Sequence, residues 1–393
     1  MLKTNVGSSL NPNPALAGAE AAKAAKSGIT DIKVAFVYSG VQYDQSELLK
    51  SIATELPGVP LIGNTSFTGV ITPEGFIGGD DGFVGVFLIG GDISVGIAGN
   101  KKINDARSTG VEVAKSALAA AGKDSSAKVD APDYFYMVAN PGEEEFFLKG
   151  IEDVIGRVPF FGGSAADNTI TGQWSLFTSD MIEPEGVAVA FFWTDEAKGF
   201  ANLFTGAYNE TDKFGIITKV VNNRELVEID GVPAVKKYAE WRGMSTDQLM
   251  GGDLLVQTIT APLGIKDRLG DLIAIRHPMN GNDDFSMAVG ANLAEKTTVI
   301  MMDGDVDHLI KVAGENVTAA IEKLGKTPAG LHLVHCGGRR AGIGDRINEL
   351  YDSIKNAAGD IPFIVVFTFG EYGYEDDDRN TTGGLMLSYS AFA

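Results

Sequence analysis

Cys336 is the single cysteine of the 393-residue chain, and it stands directly before Gly337-Gly338-Arg339-Arg340. Neighbouring guanidinium groups lower a thiol's pKa and raise its reactivity. A free cysteine is equally at home as a small buried hydrophobe, and adjacent His335 points away on an extended chain, leaving no base beside it. The four histidines are His277, His308, His332 and His335. Three apart on a strand, His332 and His335 project to opposite faces and do not converge on one ion. The sequence holds no HExxH and no cysteine-pair spacing, so no metal site is expected. Walker A, GxGxxG at a strand-to-helix junction and GxSxG are also missing, and no catalytic residue is assigned. Gly337–Gly342 with its two arginines would suit an anion, or else is a glycine turn with solvated arginines.

A richer polar set lies after glycines at predicted strand ends: Asn64-Thr65-Ser66, then Asp167-Asn168, then Glu371-Tyr372 behind Gly370. Pockets in α/β sheets gather at such ends. Glu371 for an ammonium and Arg339 for a carboxylate would grip a zwitterion, with Asn64, Ser66 and Asp167 supplying orienting hydrogen bonds. An Arg–Glu ion pair with no ligand fits the same residues.

The elements that must carry these groups repeat. Ile32–Tyr38 reads as a strand, 46–56 as a helix and 60–63 as a second strand; Tyr134–Val138, Glu144–Ile155 and 158–162 read the same way. Val59-Pro60 and Val158-Pro159 each precede two apolar residues and a glycine. A fainter third copy runs through 331–334, 343–358 and 361–364. Asn13-Pro14 starts a further helix, as N-cap and first helical residue. The pattern predicts an α/β protein of two mixed-sheet α/β domains built from repeated strand-helix-strand units. The expected division is an N-terminal helix over 1–29, one domain over 30–215 and another over 216–393. The break is placed in the polar stretch 195–218.

Acidic residues outnumber basic ones 52 to 32, for a net charge of −20. That balance argues against nucleic acid and against an anionic membrane surface. No apolar run approaches the roughly 18 residues of a membrane span. A lone cysteine fits a reducing cytoplasm.

Over nearly its whole length the sequence resembles the FIST sensor family. The first part carries Val34-Ala35-Phe36-Val37, Val59-Pro60-Leu61-Ile62-Gly63-Asn64-Thr65-Ser66 and Val158-Pro159-Phe160-Phe161-Gly162-Gly163 through Asp167. The second carries Glu228–Ala234, Cys336-Gly337-Gly338-Arg339, Phe369-Gly370-Glu371 and Asn380-Thr381-Thr382. It departs from the family at Asn64, where a cysteine is usual, and at Val70, where a glutamate is usual. The resemblance implies an intracellular, non-enzymatic sensory protein that binds a small polar ligand such as an amino acid. Ligand contacts would fall at Cys336, Arg339, Gly370, Glu371 and Asn380. Without an attached output, signalling would pass through a separate partner. Some relatives bind haem, sense nitric oxide and regulate a histidine kinase, which would make the four histidines axial-ligand candidates.

Overall fold

A computed structural model of the chain describes residues 2–123, 129–194, 199–266, 272–375 and 379–393. Local signals set the elements. Asn13 caps the helix Pro14–Ala25 by accepting the Leu16 N–H at 2.9 Å, with Pro14 in the first turn. The predicted strand–helix–strand of the first copy is Ile32–Ser39, Gln45–Glu55 and Leu61–Thr65; that of the second is Tyr134–Ala139, Glu144–Ile155 and Phe160–Ser164. In the third, Gly330–Cys336 and Phe363–Thr368 are the parallel strands. Their connection holds a short helix, Gly337–Ile343, ahead of Ile347–Ala358. The glycine-arginine segment is therefore the start of a helix, capped by the Cys336 sulfur, and not an open turn.

Three copies of one unit make up the body. In each, an outer strand and a helix precede a parallel pair, and a long strand returns antiparallel between the outer and first strands. The sheets run Lys3–Ser9, Val84–Gly90, Ile32–Ser39, Leu61–Thr65 in the first unit, and Ile93–Lys101, Gly186–Thr194, Tyr134–Ala139, Phe160–Ser164 in the second. The third runs Phe200–Thr205, Leu387–Phe392, Gly330–Cys336, Phe363–Thr368. The strand Lys3–Ser9, which has little apolar patterning to betray it, pairs on one side only. A helix pair covers the outer face of each sheet: Pro14–Ala25 with Gln45–Glu55, Ala106–Ala120 with Glu144–Ile155, and Val306–Leu324 with Ile347–Ala358. In the second pair Gly110 and Gly150 let the helix backbones touch, since a Cβ on either would collide with the carbonyls of Phe147 or Arg107.

Each unit gives its next hairpin to a neighbour. The hairpin Val70–Ile77, which follows the first unit's parallel pair, extends the third sheet beside Phe363–Thr368. The second unit's hairpin, Leu176–Glu183, extends the first sheet beside Leu61–Thr65. The third unit's, Glu371–Gly383, extends the second sheet beside Phe160–Ser164. Three matching backbone bonds mark the crossings: Phe67 N–H to Phe367 O (3.0 Å), Ala166 N–H to Thr65 O (2.9 Å) and Phe369 N–H to Ser164 O (3.3 Å). The exchange is cyclic, so the three sheets close into a triangle.

Register confirms the equivalence. Ser39 lies opposite Thr65, Ala139 opposite Ser164 and His335 opposite Phe367, which makes Phe36, Tyr136 and His332 equivalent, three residues earlier. These three rings meet on the central axis, with centroids 5.1 Å (Phe36–Tyr136), 5.1 Å (Phe36–His332) and 5.7 Å (Tyr136–His332) apart. Burying an aromatic side chain of this size stabilises by about 1.5–3 kcal/mol. In this apolar centre Tyr38 Oη lies 2.5 Å from His332 Nε2 and 3.1 Å from Tyr136 Oη, while His332 Nδ1 has no hydrogen-bond partner among the described residues.

A fourth, eight-stranded sheet is inserted in the third unit, between the strand Phe200–Thr205 and the helix Val306–Leu324. The expected division at 215/216 falls inside its strand Asn209–Val221, whose first residues are polar because that face is exposed. Residues 195–198 of the expected linker lie outside the described residues. Asp230-Gly231 forms the predicted turn with both φ positive (52° and 73°), ahead of the helix Ala234–Arg242. No helix among the described residues is long and apolar enough to cross a membrane.

Candidate functional site

The turns that follow the parallel pairs point the same way, toward the inserted sheet. Between them lies a cavity of about 290 Å³, close to the size of sites for small metabolites. Phe67 and Phe369, equivalent residues of two crossings, form part of its wall, with ring centroids 5.7 Å apart. Trp174 stands edge-on to Phe369 at 6.2 Å. Cys336, Gly337 and Gly338 add the start of the short helix, and Gly142 and Glu144 the start of Glu144–Ile155. The inserted sheet supplies Arg224, His277, Met279, Val289 and Gly290.

Charge gathers at one edge. Arg224 Nη2 donates to Glu144 Oε2 at 2.9 Å and to Glu145 Oε2 at 2.6 Å, and Nη1 donates to Gly290 O at 2.8 Å. Glu144 is buried and also accepts from the Gly142 N–H (2.9 Å) and Ser164 Oγ (3.1 Å). Burial raises its pKa, Glu145 adds to the rise, and Arg224 opposes it. His277 is held neutral, its pKa pushed down to about 4 by burial.

Of the residues expected to bind ligand, Cys336 lines the cavity. Its sulfur accepts the Gly338 N–H (3.3 Å) and the Leu385 N–H (3.2 Å), and burial pushes the thiol far up, with Glu371 adding to the rise. Arg339 and Glu371 lie behind the wall, fully buried. Arg339 Nη1 donates to Gly206 O (2.7 Å), and its guanidinium stacks 5.0 Å over the Tyr208 ring. Glu371 accepts from Thr368 Oγ1 and from the Met386 N–H, both at 2.9 Å. Burial, the dominant influence, nevertheless raises its pKa to about 8. The expected grip on a zwitterion is thus replaced by two separate buried anchors.

The other expected contacts hold the fold. Asn64 accepts from Tyr136 Oη (3.3 Å) under the central rings, and Ser66 Oγ bonds Gly69 O (2.7 Å) and the Phe367 N–H (3.0 Å) at a crossing. Gly370 O accepts the Ser164 N–H at 2.8 Å. Asn380 sits on an outer hairpin strand and donates to Glu152 Oε1 and Val158 O, both at 3.1 Å. None of these four borders the cavity.

Asp167 acts on the cavity at one remove. Its carboxylate accepts the N–H groups of Thr169 (2.8 Å), Thr171 (3.2 Å), Gly172 (2.8 Å) and Gln173 (2.9 Å), folding the loop that presents Ile170, Gly172 and Trp174. Burial works to raise its pKa, but the four N–H donors outweigh it and the pKa is lowered. Asp167→Ala is expected to lower unfolding free energy by about 1–3 kcal/mol and to weaken ligand binding, as Trp174 loses its seat. The carboxylate's contribution is present above the ordinary aspartate pKa and is lost as pH falls through the depressed folded value. Urea unfolding at pH 3 and pH 7 should show the two proteins converging at the lower pH.

Family comparison places this geometry. A FIST N domain model matches residues 33–232 and a FIST C domain model residues 234–374. The chain belongs to the FIST family. FIST domains are small-ligand-sensing domains of signal transduction. The junction between the two FIST models falls within the inserted sheet, so the second covers the rest of that sheet and much of the third unit. No curated protein matches the chain. Among solved structures, cyanuric acid hydrolase from A. caulinodans gives a TM-score of 0.36 at 8% identity, covering 100% of this chain and 99% of that one. A second cyanuric acid hydrolase gives 0.35 at 11%, over 100% of both chains. PurLQS from Thermotoga maritima gives 0.24 at 9%, over 100% of this chain and 72% of that one.

The haem that some FIST relatives carry does not fit these residues. Of the four histidines His277 alone borders the cavity, and its Nε2 is engaged with Leu255 O at 3.1 Å. His308 Nε2 bonds Ala207 O (2.8 Å), His332 Nε2 bonds Tyr38, and His335 is packed against Phe367 and Tyr389 on the opposite face of its strand. A cavity of about 290 Å³ also lies at the lower end of the range for small ligands.

The sequence reading missed Arg224, Glu144, Trp174 and the Phe67–Phe369 pair. The phenylalanines carried a signal, since each follows closely on the end of its parallel strand, Phe67 two residues past Thr65 and Phe369 one past Thr368. Arg224 carried none; it follows Asn222 and Asn223, both at positive φ, on a turn of the inserted sheet.

Proposed function

We propose that this FIST protein is a non-catalytic sensor that binds a small metabolite in the cavity, an amino acid or a compound related to one, and signals through a separate partner. The observation that carries the reading is the cavity's make-up: rings of Phe67, Trp174 and Phe369 for an apolar body, and the Arg224–Glu144 edge for a polar head. A binding role without turnover is supported by the protonated Cys336 thiol and by Glu371, whose carboxyl oxygens are both engaged inside the fold. The walls come partly from the three-unit body and partly from the inserted sheet. A ligand that prefers one placement of the two would shift their equilibrium, and a partner would read that shift.

Thermal unfolding against amino acids and their relatives tests this. A ligand at 100 times its Kd adds about 2.7 kcal/mol, a rise of roughly several degrees in Tm for a chain of this size. The shift should be confined to one chemical class and should vanish in Trp174→Ala. A rise that survives in Trp174→Ala would place the ligand elsewhere.

A further inference from the structure

The cavity wall has no charge to spare. Among the described residues its charged side chains are Arg224 and Glu144, and they are bonded to each other. Both oxygens of Glu144 are taken, Oε2 by Arg224 Nη2 and the Gly142 N–H, and Oε1 by Ser164 Oγ. Burial already works against the ionised form of this carboxyl, so a second carboxylate beside it is disfavoured. Arg224 is shared in turn with Glu145, which stands outside the lining, and with Gly290 O. An ammonium finds no open carboxylate here, and a carboxylate no open guanidinium.

His277 does leave a polar atom open. It is buried with a neutral imidazole, and its Nε2 lies 3.1 Å from Leu255 O. A carbonyl can only accept, so Nε2 carries the proton, and Nδ1 is a bare acceptor with no partner among the described residues. Glycines of the wall run along that edge of the ring. A Cβ on Gly338 would lie 3.4 Å from His277 Cε1, and one on Gly384 3.5 Å from His277 Cβ, at the two ends of the Nδ1 edge. Next to Gly338, a Cβ on Gly337 would lie 3.1 Å from Phe369 Cδ1. The imidazole and the Phe369 ring thus flank consecutive glycines, so one small molecule can meet both.

We propose that the ligand is an uncharged aromatic compound carrying an N–H or O–H donor, an indole or a phenol, with its ring against Phe67, Trp174 and Phe369 and its donor on His277 Nδ1. This rests on the cavity being the ligand site, and narrows its occupant to relatives of an aromatic amino acid that lack both charged groups. The wall favours such a body: Phe67 and Phe369 are tilted by 49° and Trp174 stands at 88° to Phe369, a set of rings that a flat guest can complete. A ligand without a donor leaves the imidazole nitrogen buried and unpaired. An intact amino acid brings two charges to a wall that has partners for neither. The Arg224–Glu144 edge acts on this ligand as a polar rim, not as a counter-charge.

Calorimetry on the full chain tests this with indole against tryptamine, indole-3-propionate and tryptophan, which add a cation, an anion or both to the same ring. Indole should bind about tenfold or more tightly than each of them. Benzofuran, which has the shape of indole without the N–H, should bind about tenfold more weakly than indole. p-Cresol against 4-methylanisole makes the same comparison for an O–H and shows which of the two classes the site takes. His277→Phe, which keeps a ring and removes the acceptor, should abolish the gap between each donor and its donor-free partner; the wild-type comparison stands if that variant does not fold. Tighter binding of a charged member, lost in Trp174→Ala, would overturn the uncharged assignment and leave the cavity as the site. Equal binding of each donor and its donor-free partner would overturn the His277 contact. Binding by none of these compounds, or binding unchanged in Trp174→Ala, would overturn the cavity reading and this inference together.

Discussion

Arg339→Ala should lower the free energy of unfolding by about 3–5 kcal/mol, measured by urea denaturation at neutral pH. Arg339 is the largest of the fully buried side chains. From the short helix Gly337–Ile343 it reaches Gly206 O, at the end of one strand, and Leu385 O (3.4 Å), ahead of another. Truncation leaves a void under Tyr208 and strips both carbonyls of that donor. Ligand response should fall only in step with the folded fraction. A variant of native stability that no longer responds to ligand would mean that Arg339 touches the ligand, as the sequence alone suggested.

Glu371→Gln should change the pH dependence of stability by about 2–4 kcal/mol between pH 5 and pH 8. The carboxyl is buried, and its pKa is raised to about 8 against roughly 4.3 in an unfolded chain. Between those values the folded state holds a proton that the unfolded state has released, so stability falls as pH rises, by at most 1.36 kcal/mol per unit. Below about pH 4 the group is protonated in both states and contributes no slope. Glutamine keeps the shape of the protonated acid and does not titrate, so the variant's profile should be flatter and should overtake the wild type toward pH 8. Parallel profiles across that window would mean that Glu371 is ionised in the fold and paired with charge.

The repeats were legible because strand–helix–strand patterning is local. Val59-Pro60 and Val158-Pro159 announce the second parallel strands of two units, and Asn13-Pro14 announces a capped helix. The third unit was faint, since its outer strand Phe200–Thr205 is separated from the helix Val306–Leu324 by an entire inserted sheet. The cyclic exchange was invisible: nothing near Val70 says that it will pair with Val366. The site suffered in the same way. Strand-end glycines pointed to the end of the sheets where the cavity lies, but whether a polar side chain turns to the cavity or to the interior depends on neighbours from other units. Ser66, spent on Gly69 O and the Phe367 N–H, and Arg339, drawn inward by Gly206 O, show this plainly.

The exchanged hairpins also order events in time. The hairpin Val70–Ile77 leaves the ribosome about 300 residues before the strand Phe363–Thr368 that it pairs with. At roughly 5–20 residues per second, it waits on the order of 15–60 seconds. Throughout that interval the hairpin lacks its partner strand, the first sheet itself gaining its outer hairpin Leu176–Glu183 only with the second unit, and an apolar hairpin stands with an open edge. Contacts this distant in sequence also slow refolding of the released chain, because loop closure must precede any gain from pairing. Protease resistance of the hairpin Val70–Ile77 should accordingly rise only after synthesis passes Thr368.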